Sequence, residues 1–103
     1  MTQRAKRRRD ERTHDTQKLF RAKVYINLKK GLADPQGSTI KEALESLGYG
    51  NLTRVRFGKY IELGLRAKGR GAAEEKLKEM CGKLLVNPVI EKYSYHIEEG
   101  RVR

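Results

Sequence analysis

The side chains that most often carry out catalysis are few and widely separated in this sequence of 103 residues. His14 lies in a basic N-terminal segment and His96 in a predicted strand, and neither has a recognisable relay partner. Cys81, the single cysteine, falls within an apolar helical stripe, which predicts a buried thiol rather than a nucleophile. These residues can form neither an internal disulfide framework nor a zinc-ligand spacing.

The acidic and glycine-containing stretches near the second predicted helix also have structural explanations. Glu74, Glu75 and Glu79 lie early in that helix, where they favour the helix dipole and can pair with lysines one turn later. Gly69 and Gly71 precede the helix, but their spacing matches neither a Walker loop nor a dinucleotide fingerprint. We therefore predict no catalytic, cofactor-binding or metal-binding residue, and the pattern favours a binding or assembly module.

The elements that position these side chains follow from the spacing of apolar residues. Alternating apolar and polar residues predict a first strand from Phe20 to Leu28 and a last strand from Val89 to about Glu98. Asp34-Pro35, or a capping box of Thr39 and Glu42 slightly later, is the start signal for a first helix. Gly48 ends that helix, and Asn87-Pro88 ends a second. The helical stripes are Ile40, Ala43, Leu44 and Leu47 in the first helix, and Ala73, Leu77, Met80, Cys81, Leu84 and Leu85 in the second.

The stretch from Thr53 to Leu65 gives the densest strand pattern in the chain. Its apolar residues share one parity, and only Lys59 interrupts them. A three-residue loop of Gly58, Lys59 and Tyr60 would leave that lysine in water and keep the apolar residues of both arms on one face. The pattern therefore predicts a central hairpin. Its apolar residues are Val55, Phe57, Ile61, Leu63 and Leu65.

The predicted order of elements is strand, helix, strand, strand, helix, strand. This order is typical of an α+β, ferredoxin-like βαββαβ sandwich over residues 20–99, with a four-stranded antiparallel sheet and two helices on one face. The other sheet face would be uncovered and available to a partner. Its predicted residues are Tyr25, Asn27, Arg54, Arg56, Glu62 and His96.

Positive charge is unevenly distributed along the chain, whose formal net charge is +11. The first 19 residues hold seven Lys or Arg against three Asp or Glu. No apolar periodicity accompanies these charges, so residues 1–19 are predicted to form a disordered basic tail. Such a tail can bind nucleic acid or another anionic surface, and it can equally be a solvated extension without a partner.

Four strings of residues resemble a known family, in the order in which that family has them. The sequence as a whole is similar, over about residues 20–99, to the small PurS-type subunit of phosphoribosylformylglycinamidine synthase. The basic tail and the basic loop at residues 68–71 depart from the usual family pattern. The strings are Asp34-Pro35-Gln36-Gly37, Phe57-Gly58-Lys59-Tyr60-Ile61-Glu62-Leu63, Glu79-Met80-Cys81, and Leu84-Leu85-Val86-Asn87-Pro88-Val89-Ile90-Glu91.

The resemblance implies an assembly role in purine biosynthesis. A glutaminase subunit releases ammonia, a synthetase subunit uses ATP to convert formylglycinamide ribonucleotide to the amidine, and the small subunit joins the two. The chain would thus be part of a ligase without an active site of its own. ATP and magnesium are expected on the synthetase partner, and no cofactor is expected on this chain.

The expected partners are the two other subunits and a second copy of the chain, as a homodimer or homotetramer. A chain this short has a thin core, and association through the hairpin and the uncovered sheet face would bury more apolar area. Two chains can also extend the sheet at an edge, and the sequence does not separate the two arrangements. Residues without an obvious core or turn role are the candidates for subunit contact. They are Tyr25, Arg54, Arg56, Lys59, Tyr60 and Glu62.

An RNA-binding module is the alternative from another class, because RNA-recognition domains share the ferredoxin-like sheet and the charge is high. Such modules stack bases on adjacent aromatic residues, whereas Arg54, Arg56 and Glu62 take the outward positions here, so nucleic acid is not the expected partner. No apolar run reaches the length of a membrane span, and no apolar segment follows the N-terminal charges. We therefore expect a cytoplasmic protein.

Overall fold

The computed structural model describes residues 17–100 as an antiparallel sheet with two helices. Within this range the sheet has three strands, in which β1 (Lys18–Leu28) lies centrally between β2 (Gly58–Ala67) and β3 (Glu91–Glu99). The second helix continues into a π-helical turn. The elements are β1 (Lys18–Leu28), α1 (Pro35–Ser46), β2 (Gly58–Ala67), α2 (Arg70–Met80), the π-helical turn (Cys81–Leu85) and β3 (Glu91–Glu99).

The core lies between one face of the sheet and α2. Alternate residues of β1 are almost fully buried, and their neighbours on β2 and β3 share that face, as Ala22 does with Leu63 and Ile97. Burial of such apolar side chains is the main favourable term in folding. The buried apolar residues of the described range are Phe20, Ala22, Val24, Ile26, Ala67, Ala73, Leu77, Cys81, Val86 and Ile97.

The predicted central hairpin is wrong. Gly58, Lys59 and Tyr60 do not form a loop but begin β2, where they pair with Asn27, Ile26 and Tyr25 of β1. Residues 52–57 form no strand, so the described range contains three strands where the sequence predicts four.

Polar contacts to other parts of the chain explain this difference. The Phe57 N–H donates to the Asp34 carboxylate at 2.9 Å, and the Arg56 guanidinium donates to the Leu28 carbonyl at 2.8 Å. A Cβ at Gly58 would come within 2.5 Å of Asn27 Oδ1, so glycine permits the close approach of this strand start to β1. The segment before β2 is therefore attached by side chains rather than by a strand ladder.

The two helices differ in how they contact the sheet. Helix α2 supplies Ala73 and Leu77 to the core, as predicted. In α1 the single buried residue is Gly37, and the predicted apolar stripe is largely exposed, with 73% of Leu47 accessible just after the helix. The predicted signals for α1 are confirmed, since Asp34 is its N-cap and Pro35 its first residue. Helix α1 thus adds no side chain to the core.

The ends of the described range differ in detail from the predicted boundaries. Strand β1 begins at Lys18, and the Gly100 N–H donates to the Leu19 carbonyl at 3.0 Å. Strand β3 begins at Glu91 rather than Val89, which is 77% exposed. Residues 1–16 of the predicted tail lie outside the described range. No helix within residues 17–100 is long and apolar enough to cross a membrane.

Candidate subunit-contact site

The sheet face opposite α2 presents a pair of tyrosines from neighbouring strands. Tyr25 of β1 and Tyr60 of β2 are cross-strand partners, with ring centroids 5.3 Å apart and ring planes tilted by 34°. They are 42% and 52% exposed. Residues directly opposite on antiparallel strands point to the same face, and aromatic pairs there stabilise the sheet. The pair therefore forms a fixed aromatic surface that is open to a partner.

Charged side chains surround this aromatic pair. Glu62 accepts a hydrogen bond from the Tyr60 hydroxyl at 3.3 Å and lies opposite Lys23 of β1, which faces His96 of β3 on its other side. Partial shielding from water and the Glu62 carboxylate raise the pKa of Tyr60, so its hydroxyl remains a donor at neutral pH. We call Lys23, Tyr25, Tyr60, Glu62 and His96 the open sheet face.

A second group of polar contacts lies where α1 begins. The Asp34 carboxylate accepts two backbone hydrogen bonds, from Gly37 within the first turn of α1 at 3.0 Å and from Phe57 just before β2 at 2.9 Å. These two N–H groups, followed by the nearby Arg56 charge, lower the pKa of Asp34 despite partial desolvation. Asp34 thus joins two segments that are 23 residues apart.

Lys59 and Glu91 form an ion pair close to Asp34. The Lys59 ammonium lies 3.0 Å from Glu91 Oε2, and the Glu91 side chain is 10% exposed. Glu91 also accepts the Asn87 N–H at 2.8 Å, and this hydrogen bond and then Lys59 lower the pKa of its carboxyl. Lys59 is therefore held by a partner, while its side chain remains 57% exposed, in water as the sequence predicts.

Three of the four family-like strings converge at this end of the sheet. A cavity of about 80 Å³ is lined by residues from the first, second and fourth strings together with the end of β1. We define the strand-end cluster as the three charged residues that line the cavity, Asp34, Lys59 and Glu91, together with Asn87, whose N–H donates to Glu91.

Arg54 and Arg56 occupy a different position from the one predicted. Both belong to the segment before β2, and they line a cavity of about 220 Å³ that also contains Lys30 and Asp34. Arg56 is partly buried and donates to the end of β1, which gives it a structural role. The cavity is open to solvent and carries three basic side chains beside one carboxylate.

The six predicted contact residues therefore fall into three groups. Tyr25, Tyr60 and Glu62 come together on the open sheet face, Lys59 belongs to the strand-end cluster, and the two arginines lie beside α1. Sequence reasoning treated Asp34 as a helix cap and Glu91 as a family-like residue, and it missed their contacts with distant segments. The one signal in the sequence for these contacts is that Asp34 and Glu91 each belong to a family-like string. Contact of any of these residues with another subunit stays a prediction.

The predicted burial of Cys81 is confirmed. Its thiol lies in the core next to Tyr93, and burial raises its pKa. A thiol with a raised pKa is a weak nucleophile at neutral pH. Within residues 17–100, no three side chains of the types that commonly bind metals lie together.

A small α+β domain with an open aromatic and charged sheet face is typical of the class of proteins that contact other chains. Comparison with known proteins specifies the class. The PurS family model, described as phosphoribosylformylglycinamidine (FGAM) synthase, matches residues 21–99. The chain belongs to the PurS family, as the resemblance of its sequence strings indicates.

Individual relatives agree with this assignment. The phosphoribosylformylglycinamidine synthase subunit PurS of Bacillus subtilis is 46% identical over 79% of this chain and 95% of its own length. The crystal structure of Methanocaldococcus jannaschii PurS, at 39% identity, covers 80% of this chain and 99% of that one with a TM-score of 0.72. A chain in the structure of PurLQS from Thermotoga maritima, at 33% identity, covers 79% of this chain and 96% of that one with a TM-score of 0.69.

Proposed function

We propose that this chain is the small, non-catalytic subunit of a phosphoribosylformylglycinamidine synthase complex. It joins the glutaminase subunit to the ATP-dependent synthetase subunit and supports ammonia transfer between them. The likeness to a chain of the Thermotoga maritima PurLQS structure carries this proposal, because that structure places a PurS-like chain in an assembly. ATP and magnesium are assigned to the synthetase partner, and no cofactor is assigned to this chain. The cytoplasm is the proposed location.

Reconstitution of the reaction tests this function. The glutaminase and synthetase subunits of the same source are assayed for amidine formation with and without the chain, using glutamine or ammonium chloride as the nitrogen donor. We expect the chain to be required with glutamine and dispensable with ammonium, since it assists transfer and not the ATP-dependent step. Equal glutamine-dependent turnover without the chain would refute the proposal.

We assign the open sheet face to subunit contact, including contact with a second copy of the chain. Support comes from the two half-exposed tyrosines, because aromatic side chains provide large contact areas at interfaces. Both β2 and β3 are also edge strands, so a second copy can add a neighbouring strand to the three-stranded sheet. The sheet would then gain its fourth strand from the second copy of the chain.

A pair of tyrosine variants tests the assigned face. Tyr60→Asp places a charge at its centre, whereas Tyr49→Asp changes a tyrosine of similar exposure, 57%, in the loop after α1. Sedimentation at micromolar concentration should show that Tyr60→Asp weakens association and that Tyr49→Asp does not. Unfolding of both variants in urea controls for stability. A monodisperse 11.9 kDa monomer for the unchanged protein would exclude self-association.

A further inference from the structure

Helix α1 is fully buried only in its first turn, and Leu44 is its half-buried apolar residue further along. Its single buried residue is Gly37, and the buried core of the described range contains no residue of α1. Ile40, within the helix, is 39% exposed, and Leu47, directly after it, is 73% exposed. Apolar packing therefore does little to fix the direction of this helix, and polar contacts near its start must do so.

The Asp34 carboxylate supplies that contact. One of its oxygens caps α1 through the Gly37 N–H, and the other accepts the Phe57 N–H. Phe57 is itself held in place, because the preceding Arg56 donates to the Leu28 carbonyl at the end of β1, and Gly58, which follows, pairs with Asn27. A series of hydrogen bonds thus leads from the central strand through Asp34 to the start of α1.

Close packing at Gly37 reinforces this arrangement. A Cβ at this position would lie 2.5 Å from Asp34 Oδ2 and 2.6 Å from the Val55 carbonyl oxygen. Real Cβ atoms do not approach other atoms so closely, so any larger residue must push α1 away from the segment before β2. Glycine at position 37 and aspartate at position 34 therefore serve the same contact.

We infer that Asp34 is a positioning residue: its bridge to Phe57 sets the direction of α1 relative to the sheet, and the sheet core folds without that bridge. The inference concerns the isolated chain and goes beyond the proposed subunit role. Its success or failure is independent of whether the chain joins two enzymes.

Asparagine separates the two roles of the carboxylate. In Asp34→Asn the amide oxygen can still cap α1, because asparagine is as good an N-cap as aspartate. Its NH2 group cannot accept an N–H, so with the oxygen on the Gly37 N–H the Phe57 N–H loses its acceptor and the bridge is broken. Gly37→Ala disturbs the same contact by steric overlap and keeps the carboxylate. Thr39→Ala is the matched control, since Thr39 donates only to the Pro35 carbonyl within α1.

Residual dipolar couplings and amide exchange measured by NMR decide the question. In the unchanged protein and in Thr39→Ala, couplings of α1 and of the sheet should fit one alignment tensor. In Asp34→Asn and Gly37→Ala the couplings of α1 should no longer fit the alignment tensor of the sheet. Exchange at Phe57 should accelerate about tenfold or more, as expected for loss of a charge-assisted hydrogen bond, while exchange at Val24 changes less than about threefold.

A pH titration adds a readout that loss of packing would not produce. The charged groups around Asp34 are Arg56, then Lys30, Arg54, Lys59 and Glu91, which line the two adjoining cavities. The Gly37 and Phe57 amide shifts should titrate together below the ordinary aspartate pKa, and this step should vanish in Asp34→Asn. The inference is overturned if α1 in both variants keeps the alignment of the control, or if exchange at Val24 accelerates as much as at Phe57. Failure of both variants to fold would overturn it too.

Discussion

Replacing Leu77 by alanine tests the unequal roles of the two helices. Leu77 is fully buried in α2, and its replacement removes three carbon atoms from the core. At about 0.8 kcal/mol per buried methylene the transfer contribution is about 2.4 kcal/mol. An added cavity contribution brings the expected loss to about 3–4 kcal/mol, within the range measured for buried leucines. This loss is a large part of the stability of a domain of this size.

Two leucines of the same predicted stripes serve as controls. Leu47, after α1, is 73% exposed and Leu84, in the π-helical turn, is 83% exposed. Their replacement by alanine should change the free energy of unfolding by less than about 0.5 kcal/mol, as for other surface changes. Urea unfolding of all three variants, followed by circular dichroism, measures the differences. Equal losses for Leu47→Ala and Leu77→Ala would show that α1 packs on the core.

Protein concentration separates a core contribution from one made by association. Each unfolding curve is recorded at a low and a high protein concentration. If the stability lost in Leu77→Ala comes from the core, the loss should be the same at both protein concentrations. If the stripe of α1 becomes buried in an oligomer, the effect of Leu47→Ala should grow with concentration, because association stabilises the folded state by mass action.

Two further outcomes follow from the charges of the chain. Because the pKa of Glu91 is lowered, its contacts stabilise the folded state above the unfolded carboxyl pKa of about 4.3 and are lost as pH falls through the lower folded pKa. The stability difference between the unchanged protein and Glu91→Gln should therefore be largest near neutral pH and vanish in acid, as urea titrations at several pH values would show. A difference independent of pH would contradict the assigned ion pair. Deletion of residues 1–16 should leave the melting temperature unchanged. It should weaken salt-sensitive adsorption to heparin, because those residues hold six Lys or Arg against three Asp or Glu. Unchanged adsorption would show that the folded domain binds the heparin.

The sequence predicts the strand parities and the helix signals well because both depend on neighbouring residues. Ile61, Leu63 and Leu65 share the core face with or without a hairpin before them, since alternation in an extended chain needs no knowledge of the partner strand. The predicted hairpin is wrong because Gly58 contacts Asn27, which lies in a distant part of the chain. Turn chemistry alone could not distinguish a loop from the start of a strand.

The candidate site was harder to predict for the same reason. Parity or the lack of another role predicts a contact surface that includes Tyr25, Tyr60 and Glu62, and the structure brings these three residues together. The partners of Asp34 and Lys59 lie 23 and 32 positions away, so local capping and turn rules could not identify them. Those long-range polar contacts connect the family-like strings.

The contrast between core and strand-end contacts bears on how the chain could respond to other subunits. The sheet and α2 share an apolar core, which opens only in near-global unfolding, whereas α1 depends on hydrogen bonds that water can replace. Elements held in this way are the ones that partners reorient most easily, because a ligand shifts an equilibrium by its differential affinity for the two states. Subunit binding is therefore expected to change the direction of α1 before it disturbs the sheet. A bound complex in which α1 is unmoved and β1 is displaced would contradict this order of stability.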